Sequence, residues 1–295
     1  MSKIAPKSSV AKLVSASLLA VSLATVATPA LAQEEEAKPI TFSGSAAIVS
    51  DYRFRGVSMT DKHMAVQAGM SVAHESGLYA GVWGSNLAGW GQFGGSNMEL
   101  DIYGGYAREF GAVKVDVGLT WYMYPGGADK TDFAEPYVKL SGKYGPASLL
   151  VGVAYAPKQE ALGNYYGGIG PDGYAIINPT GPKEDNLYVW TEGSIGVTGL
   201  PLTVKGHIGY SKGNPGLGPN GTSVTPTGSY WDWMIGIDVP VGPVTLGVAY
   251  VDTSITDADS AYLGNGFRSQ KDFAKFPNST SIAGAKAVFS ATVAF

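Results

Sequence analysis

The chain contains no cysteine. That excludes a disulfide framework and thiolate metal sites, and it agrees with export from the cell. Charge is sparse as well, with only 15% of residues Asp, Glu, Lys or Arg. The three histidines, His63, His74 and His207, fall on different segments without ligand spacing. A histidine metal centre or a serine–histidine hydrolase therefore has little to build on, and no metal, cofactor or catalytic residue is expected. After Gln33 no apolar run is long enough to cross a membrane as a helix. If the mature chain lies in a membrane, it must do so as a closed barrel, because open sheet edges cannot be satisfied in lipid.

Glycine, by contrast, is abundant: 41 of 295 residues, alongside 45% hydrophobic residues. This balance argues against disorder and suits a β protein with many turns. The N-terminus has a different character. Lys3, Lys7 and Lys12 precede the apolar run Leu13–Ala27, and Ala30-Leu31-Ala32 follows. Basic region, apolar core and A-x-A site predict a secretory signal peptide over residues 1–32. Cleavage there removes three lysines and no acids from a chain of net charge −4. An acidic exported protein is a poor nucleic-acid binder. Residues 33–39 read as a polar leader, and 40–295 as one barrel domain.

The stretch Ala283–Phe295 carries the clearest pattern. Ala287, Phe289, Ala291, Val293 and Phe295 alternate with Lys286, Ser290 and Thr292, with Val288 as the exception. Such alternation gives a strand with one apolar and one polar face. Similar patterns predict strands at Ile40–Gly56, Met64–His74, Leu78–Asn86, Met98–Arg108, Val113–Tyr124 and Phe133–Lys143. They continue at Ala147–Ala156, Asn186–Val197, Leu202–Ser211, Ser229–Val239 and Val244–Val251. Pro136 argues against an uninterrupted sixth strand, since it cannot donate to a ladder. Connections after even-numbered strands are tight, and those after odd-numbered strands are longer; the largest are Pro157–Asp185, Lys212–Gly228 and Asp252–Ile282. The expected fold is all-β: a transmembrane antiparallel up-and-down β-barrel of about 12 strands, with short periplasmic turns and longer external loops. Tyr52, Phe54, Trp121, Tyr124, Tyr155, Trp231 and Tyr250 are expected in an interfacial girdle.

A chain ending in this way resembles the closing strand of bacterial outer-membrane barrels. That resemblance implies that Phe295 is an assembly signal read by the barrel-assembly machinery. The run Ser50-Asp51-Tyr52-Arg53-Phe54-Arg55-Gly56-Val57-Ser58 resembles the opening of the TorF-type family of proteobacterial outer-membrane porins. Ala73–Gly77, Val82–Asn86, Glu99–Tyr106 and Tyr122–Gly126 extend the resemblance, which is densest over residues 40–140. It implies an outer-membrane pore without naming a solute.

The pore-lining candidates are the charged residues on the inward faces: Glu99, Asp101, Asp116, Glu135, Glu192, Asp232 and Asp238 against Arg53, Arg55, Lys114, Lys139 and Lys205, with Asp51 on the same side. Strand direction places Arg53, Arg55, Glu99, Asp101, Glu135 and Asp232 in the external half, where they would form a constriction with basic and acidic walls. The alternative is that these charges pair across the lumen and fill it. The GxGxxG letters at Gly168–Gly173 lack a βα context and read as a turn cluster. Asp252, Asp257 and Asp259 read as a solvated acidic loop. The expected function is passive, mildly cation-preferring diffusion of small hydrophilic solutes through the outer membrane, with membrane lipid and lipopolysaccharide as surroundings. Two alternatives stay open: a closed structural or adhesive barrel, and an outer-membrane lipid-modifying enzyme.

Overall fold

The computed structural model describes residues 39–88, 95–127, 129–163, 166–169, 171–172, 175–177, 181–215, 227–257 and 281–295. The strands in chain order are β1 (Ile40–Val49), β2 (Arg53–Phe54), β3 (Val57–Ser58), β4 (Ala65–His74), β5 (Leu78–Asn86), β6 (Met98–Phe110), β7 (Val113–Met123) and β8 (Phe133–Tyr144). They continue with β9 (Ala147–Gln159), β10 (Tyr166–Ile169), β11 (Ala175–Ile177), β12 (Glu184–Gly196), β13 (Thr203–Pro215), β14 (Thr227–Val241), β15 (Val244–Thr253) and β16 (Lys286–Ala294). Twelve of these close an antiparallel barrel in the order β1, β16, β15, β14, β13, β12, β9, β8, β7, β6, β5, β4. The two short pairs β2–β3 and β10–β11 lie outside that ring.

Closure runs to the last residue. Gly44 N donates to Phe295 O at 2.8 Å, and Phe295 N donates back to Gly44 O at 3.0 Å. The Phe295 ring covers Gly44 on the outer face, where a Cβ at position 44 would stand 2.6 Å from it. The outer face carries the apolar half of each alternation. Phe42, Met70, Leu78, Val117, Ile235 and Phe289 are all exposed there. An unbroken apolar belt of this extent suits a lipid surround, because soluble monomers rarely leave such a surface bare.

One end of the barrel holds both termini of the sheet and the tight turns at 75–77, 111–112, 145–146, 197–202 and 242–243. Gly145 (φ 57) and Gly242 (φ 59) supply the left-handed backbone that two-residue hairpins need. The long connections gather at the opposite, loop end, so the long–short alternation holds throughout. Pro136 is accommodated because the β8–β9 ladder begins only at Tyr137↔Ala154. Beyond it the Gln159 side chain replaces the missing ladder: its Oε1 accepts from Ala134 N at 2.7 Å and its Nε2 donates to Ala134 O at 2.8 Å.

Three expectations need correction. The stretch Pro157–Asp185 is not simply a loop: β9 extends to Gln159, a 3-10 turn covers Glu160–Leu162, and β10 pairs with β11. Within the Gly168–Gly173 letters, Gly170 and Gly173 lie outside the described residues, as does Asp259. The first strand does not reach Gly56 but leaves the wall after Val49. The girdle divides accordingly: Trp121, Tyr155, Trp231 and Tyr250 are exposed on the outer face, whereas Tyr52, Phe54 and Tyr124 are buried.

Several lumen-facing aromatics lie flat on glycines of a neighbouring strand. Tyr103 covers Gly81, Tyr137 covers Gly118, Trp190 covers Gly152 and Tyr188 covers Gly209, each occupying the space of a missing Cβ. Glycine here is a packing requirement. Gly152→Ala is expected to push Trp190 off the wall and to cost about 1–3 kcal/mol, as overpacked interiors do. Urea unfolding of the barrel in lipid, followed by heat-modifiable gel mobility, measures this.

Candidate functional site

After Val49 the chain turns into the barrel rather than continuing along its wall. Residues 51–61 are buried without interruption. Arg53↔Ser58 and Phe54↔Val57 pair as a small hairpin inside the lumen. Its bend uses positive φ at Arg55 (49) and Gly56 (78). A side chain at position 56 would meet Asp232 Cβ at 3.0 Å and the Asp252 carbonyl at 3.2 Å, so only glycine fits against the β14 and β15 ends.

The inner segment has its own polar framework. Asp51 accepts from Arg53 Nε at 2.7 Å and from Ser58 Oγ at 2.5 Å. Arg53 Nη1 donates to Gly56 O at 2.8 Å and to Gly284 O at 3.0 Å. Tyr52 N donates to Thr60 Oγ1 at 3.0 Å, and Met59 N donates to Tyr52 O at 2.8 Å. Further bonds tie the segment to the rest of the chain: Ser58 N to Ile282 O, Ala88 N to Met59 O, Tyr230 OH to Arg55 O, Lys286 Nζ to Lys62 O and Ser50 N to Phe289 O. Around these bonds packs an apolar core inside the lumen. Tyr52 meets Trp83 edge-on at 5.4 Å, and Phe54 meets Tyr122 at 5.8 Å. Met59, Phe133, Ala161 and Leu162 complete it, while Val57 packs with Tyr230, Ile255 and Ile282 on the other side. Burial, followed by the negative charge of Glu99 and Asp101, holds the Tyr52 phenol well above its ordinary pKa, so it remains protonated.

The candidate residues sort into groups along the barrel. Arg53 and Arg55 belong to the inner segment and not to a wall strand, because the wall ends at Val49 while the alternation of side chains runs on. All the others face inward from wall strands. Near the loop end Arg55 Nη2 donates to both oxygens of Glu135 at 2.7 Å, with Tyr122 OH donating to Glu135 Oε2 at 3.4 Å. The Arg55 guanidinium also stacks over Tyr188 at 4.1 Å and over Phe54 at 4.8 Å. Glu99 and Asp101 on β6 share this level, and Asp101 is paired in register with Tyr122. Glu99 Oε2 and Asp101 Oδ1 are buried and, among the described residues, without a hydrogen-bond partner.

Further down, the charges neutralise one another on the wall itself. Lys139 Nζ lies 3.1 Å from Asp116 and 4.1 Å from the Tyr137 ring centre. Tyr79 OH donates to Asp116 and also bonds Tyr137 OH. Lys205 Nζ donates to Asp238 at 2.6 Å. Back beside the hairpin tip, Asp232 stands 2.9 Å from His207 Nε2, and Glu192 stands 3.6 Å from His207 Nδ1; Tyr188 OH bonds the same imidazole. Lys114 sits at the turn end, opposite Ser141. The single expected constriction is therefore several separate pairs, and its basic side comes from the inner segment.

Sequence reasoning set aside His207 as a metal ligand and did not place it between two carboxylates. It also missed Tyr188, although its spacing of two and four from Trp190 and Glu192 marks it as inward. Val288, the exception in the last strand, closes a lumenal apolar cluster with Met234, Ala249 and Val251. His74 ends β4, where its Nδ1 bonds Ser76 of the following turn.

A protein-family model described as "Bacterial protein of unknown function (Gcw_chp)" matches residues 33–284. No curated protein matches the sequence. Among solved structures, the chain is similar to the KdgM porin in complex with disordered oligogalacturonate, at 6% identity over 86% of this chain and 98% of that one, TM-score 0.45. It is similar to the outer-membrane channel DcaP of Acinetobacter baumannii at 10% identity over 87% and 97%, TM-score 0.38. It is also similar to the outer-membrane protein OpdK from Pseudomonas aeruginosa at 12% identity over 88% and 68%, TM-score 0.40. These likenesses are in barrel architecture and carry nothing about solutes. The family match extends over most of the chain, and the chain belongs to the Gcw_chp family; that match does not confirm the TorF-type resemblance.

The pair Lys205–Asp238 tests the wall electrostatics. Removing one partner leaves a buried charge unmatched, so Lys205→Met is expected to destabilise the barrel by roughly 3–5 kcal/mol. The double variant Lys205→Met/Asp238→Leu is expected to recover most of that loss in the same urea titration.

Proposed function

We propose that this Gcw_chp-family barrel is an outer-membrane pore for small hydrophilic solutes, closed in the described state by its own inner segment. The observation that carries this reading is how the bore is filled. Eight strands enclose a space that side chains fill, whereas larger barrels leave room for a cavity or channel. Here twelve strands surround a polar lumen, and the fill at the loop end is a folded-in chain segment, residues 50–63. An apolar exterior, closure through Phe295 and the N-terminal secretory signature support an outer-membrane location. Phe295 serves as the assembly signal. The pore-lining residues are Glu99, Asp101, Lys114, Asp116, Glu135, Lys139, Glu192, Lys205, Asp232 and Asp238, with Arg53 and Arg55 on the movable part.

Cation preference follows from the same arrangement. Lys139, Lys205 and His207 are matched by acids on the wall. Glu135 is matched by the inner segment's Arg55, and among the described residues no ion pair reaches Glu99 or Asp101; the inward lysines 114, 139 and 205 all lie nearer the turn end, and Lys286 is turned toward Asp51. With the inner segment withdrawn, three carboxylates would face the passage, and such a ring attracts cations. A closed structural barrel is the second reading. It is favoured by the depth of packing around Tyr52, Phe54 and Met59.

Val49 pairs with Ala65, so deleting residues 52–61 leaves a short hairpin between β1 and β4. In planar bilayers the deleted protein is expected to conduct in larger and more frequent steps than the intact protein. Its reversal potential in a salt gradient is expected to show cation preference, lost in Glu99→Gln/Asp101→Gln/Glu135→Gln. A folded but silent deletion variant would establish the closed barrel instead.

A further inference from the structure

We propose that the Arg55 pocket is a recognition site for guanidinium-bearing organic cations, and that Arg55 is its tethered occupant, holding the pore shut until a free cation replaces it. This rests on the pore reading above and names its solute class. The pocket has the chemistry of a guanidinium receptor. One face is the Glu135 carboxylate, both of whose oxygens lie 2.7 Å from Arg55 Nη2. The flat surfaces are the ring of Tyr188 on the wall at 4.1 Å and that of Phe54, on the hairpin beside Arg55 itself, at 4.8 Å. Planar, delocalised cations are held by this combination of carboxylate and aromatic face better than compact, strongly hydrated ones.

Arg55 stands at the tip of the β2–β3 hairpin, whose two-residue turn sets its φ at 49. One observation adds to the ion pair: the neighbouring acids outnumber the cation offered. Glu99 and Asp101 are on the same level, are 1% and 7% exposed, lie beside the Tyr52 phenol, and each keeps a buried carboxyl oxygen without a hydrogen-bond partner among the described residues. A solute carrying both a guanidinium and an ammonium group could satisfy Glu135 and the β6 acids together. Arg55 alone brings one charge.

The competition is set by tethering. Arg55 occupies the pocket at the effective concentration of an intramolecular ligand, in the millimolar range for short links. A free cation at comparable concentration takes its place, and the hairpin loses its bond to β8. The remaining ties of residues 50–63 are the hydrogen bonds to Gly284, Ile282, Ala88, Tyr230, Lys286 and Phe289 and the two apolar clusters that hold Tyr52, Phe54, Met59 and Val57, which the exchange must loosen as well.

The experiment measures currents of the refolded, full mature barrel in planar bilayers, with L-arginine as probe and L-citrulline as its neutral counterpart of nearly the same shape. On intact protein, L-arginine is expected to raise open probability several-fold over L-citrulline at equal ionic strength; equal responses overturn the proposal. Arg55→Ala empties the pocket, so its channels are expected to open without a ligand. L-arginine is then expected to block them at roughly tenfold lower concentration than L-citrulline, the scale of one charge-assisted contact. Adding Glu135→Gln to Arg55→Ala is expected to abolish the difference, and block that survives overturns the proposal. Conducting Arg55→Ala channels that do not discriminate the two probes overturn the pocket assignment and leave the pore standing. Folded, heat-modifiable Arg55→Ala barrels that never conduct overturn the pore reading as well. If Arg55→Ala does not fold, the comparison on intact protein decides the question alone.

Discussion

Everything in this molecule depends on closing the sheet. A strand edge in hydrocarbon would leave a row of backbone donors and acceptors unpaired, each at a cost of several kcal/mol. The junction of β1 with β16 removes that edge, and reciprocal bonds between Gly44 and Phe295 carry it to the final residue. Once the ring is closed, alternation is obligatory: one side chain faces lipid and the next faces the lumen. Met234, Ile235 and Gly236 show the rule on three consecutive positions, with Ile235 bare outside and Met234 packed inside.

A ring of this size then has an interior to fill or to use. The wall handles its own charges locally, strand to neighbouring strand, as in Asp116–Lys139 and Lys205–Asp238. Aromatics laid over glycines line the wall without crossing it. At the loop end the method changes. There a hairpin from the first long connection enters the bore, bringing an apolar cluster and the Arg55 guanidinium to meet Glu135. Buried ion pairs contribute little net stability compared with apolar replacements, so specificity of position is the stronger reason for this one. We read it as a latch.

Much of the fold was legible because period-two alternation leaves a local trace. All twelve wall strands are present, and their inward residues follow from parity alone; Lys114, Asp116 and Lys139 are examples. The course of the chain after Val49 was not legible. Asp51, Tyr52, Arg53, Phe54 and Arg55 keep alternating in letter, because the segment again forms a hairpin. What turns it inward is distant in sequence: Ile282, Ala88, Tyr230 and Glu135. The same blindness put Tyr52 and Phe54 in the interfacial girdle and Arg53 and Arg55 on the wall. Pairing of charges was likewise visible only as an option, since which acid meets which base depends on register between strands. The alternative that charges pair and occlude the lumen describes much of what is seen.

The absence of native cysteine makes the central claim directly testable. Met59 is 2% exposed, deep in the inner segment. With Met59→Cys as the sole thiol, the measurement is its rate of reaction with a membrane-impermeant methanethiosulfonate reagent in the folded barrel. A latched segment gives slow modification in the otherwise intact protein and distinctly faster modification once Glu135→Gln is added. Reaction as fast as that of a free thiol, unaffected by Glu135, would mean that residues 50–63 do not occupy the bore.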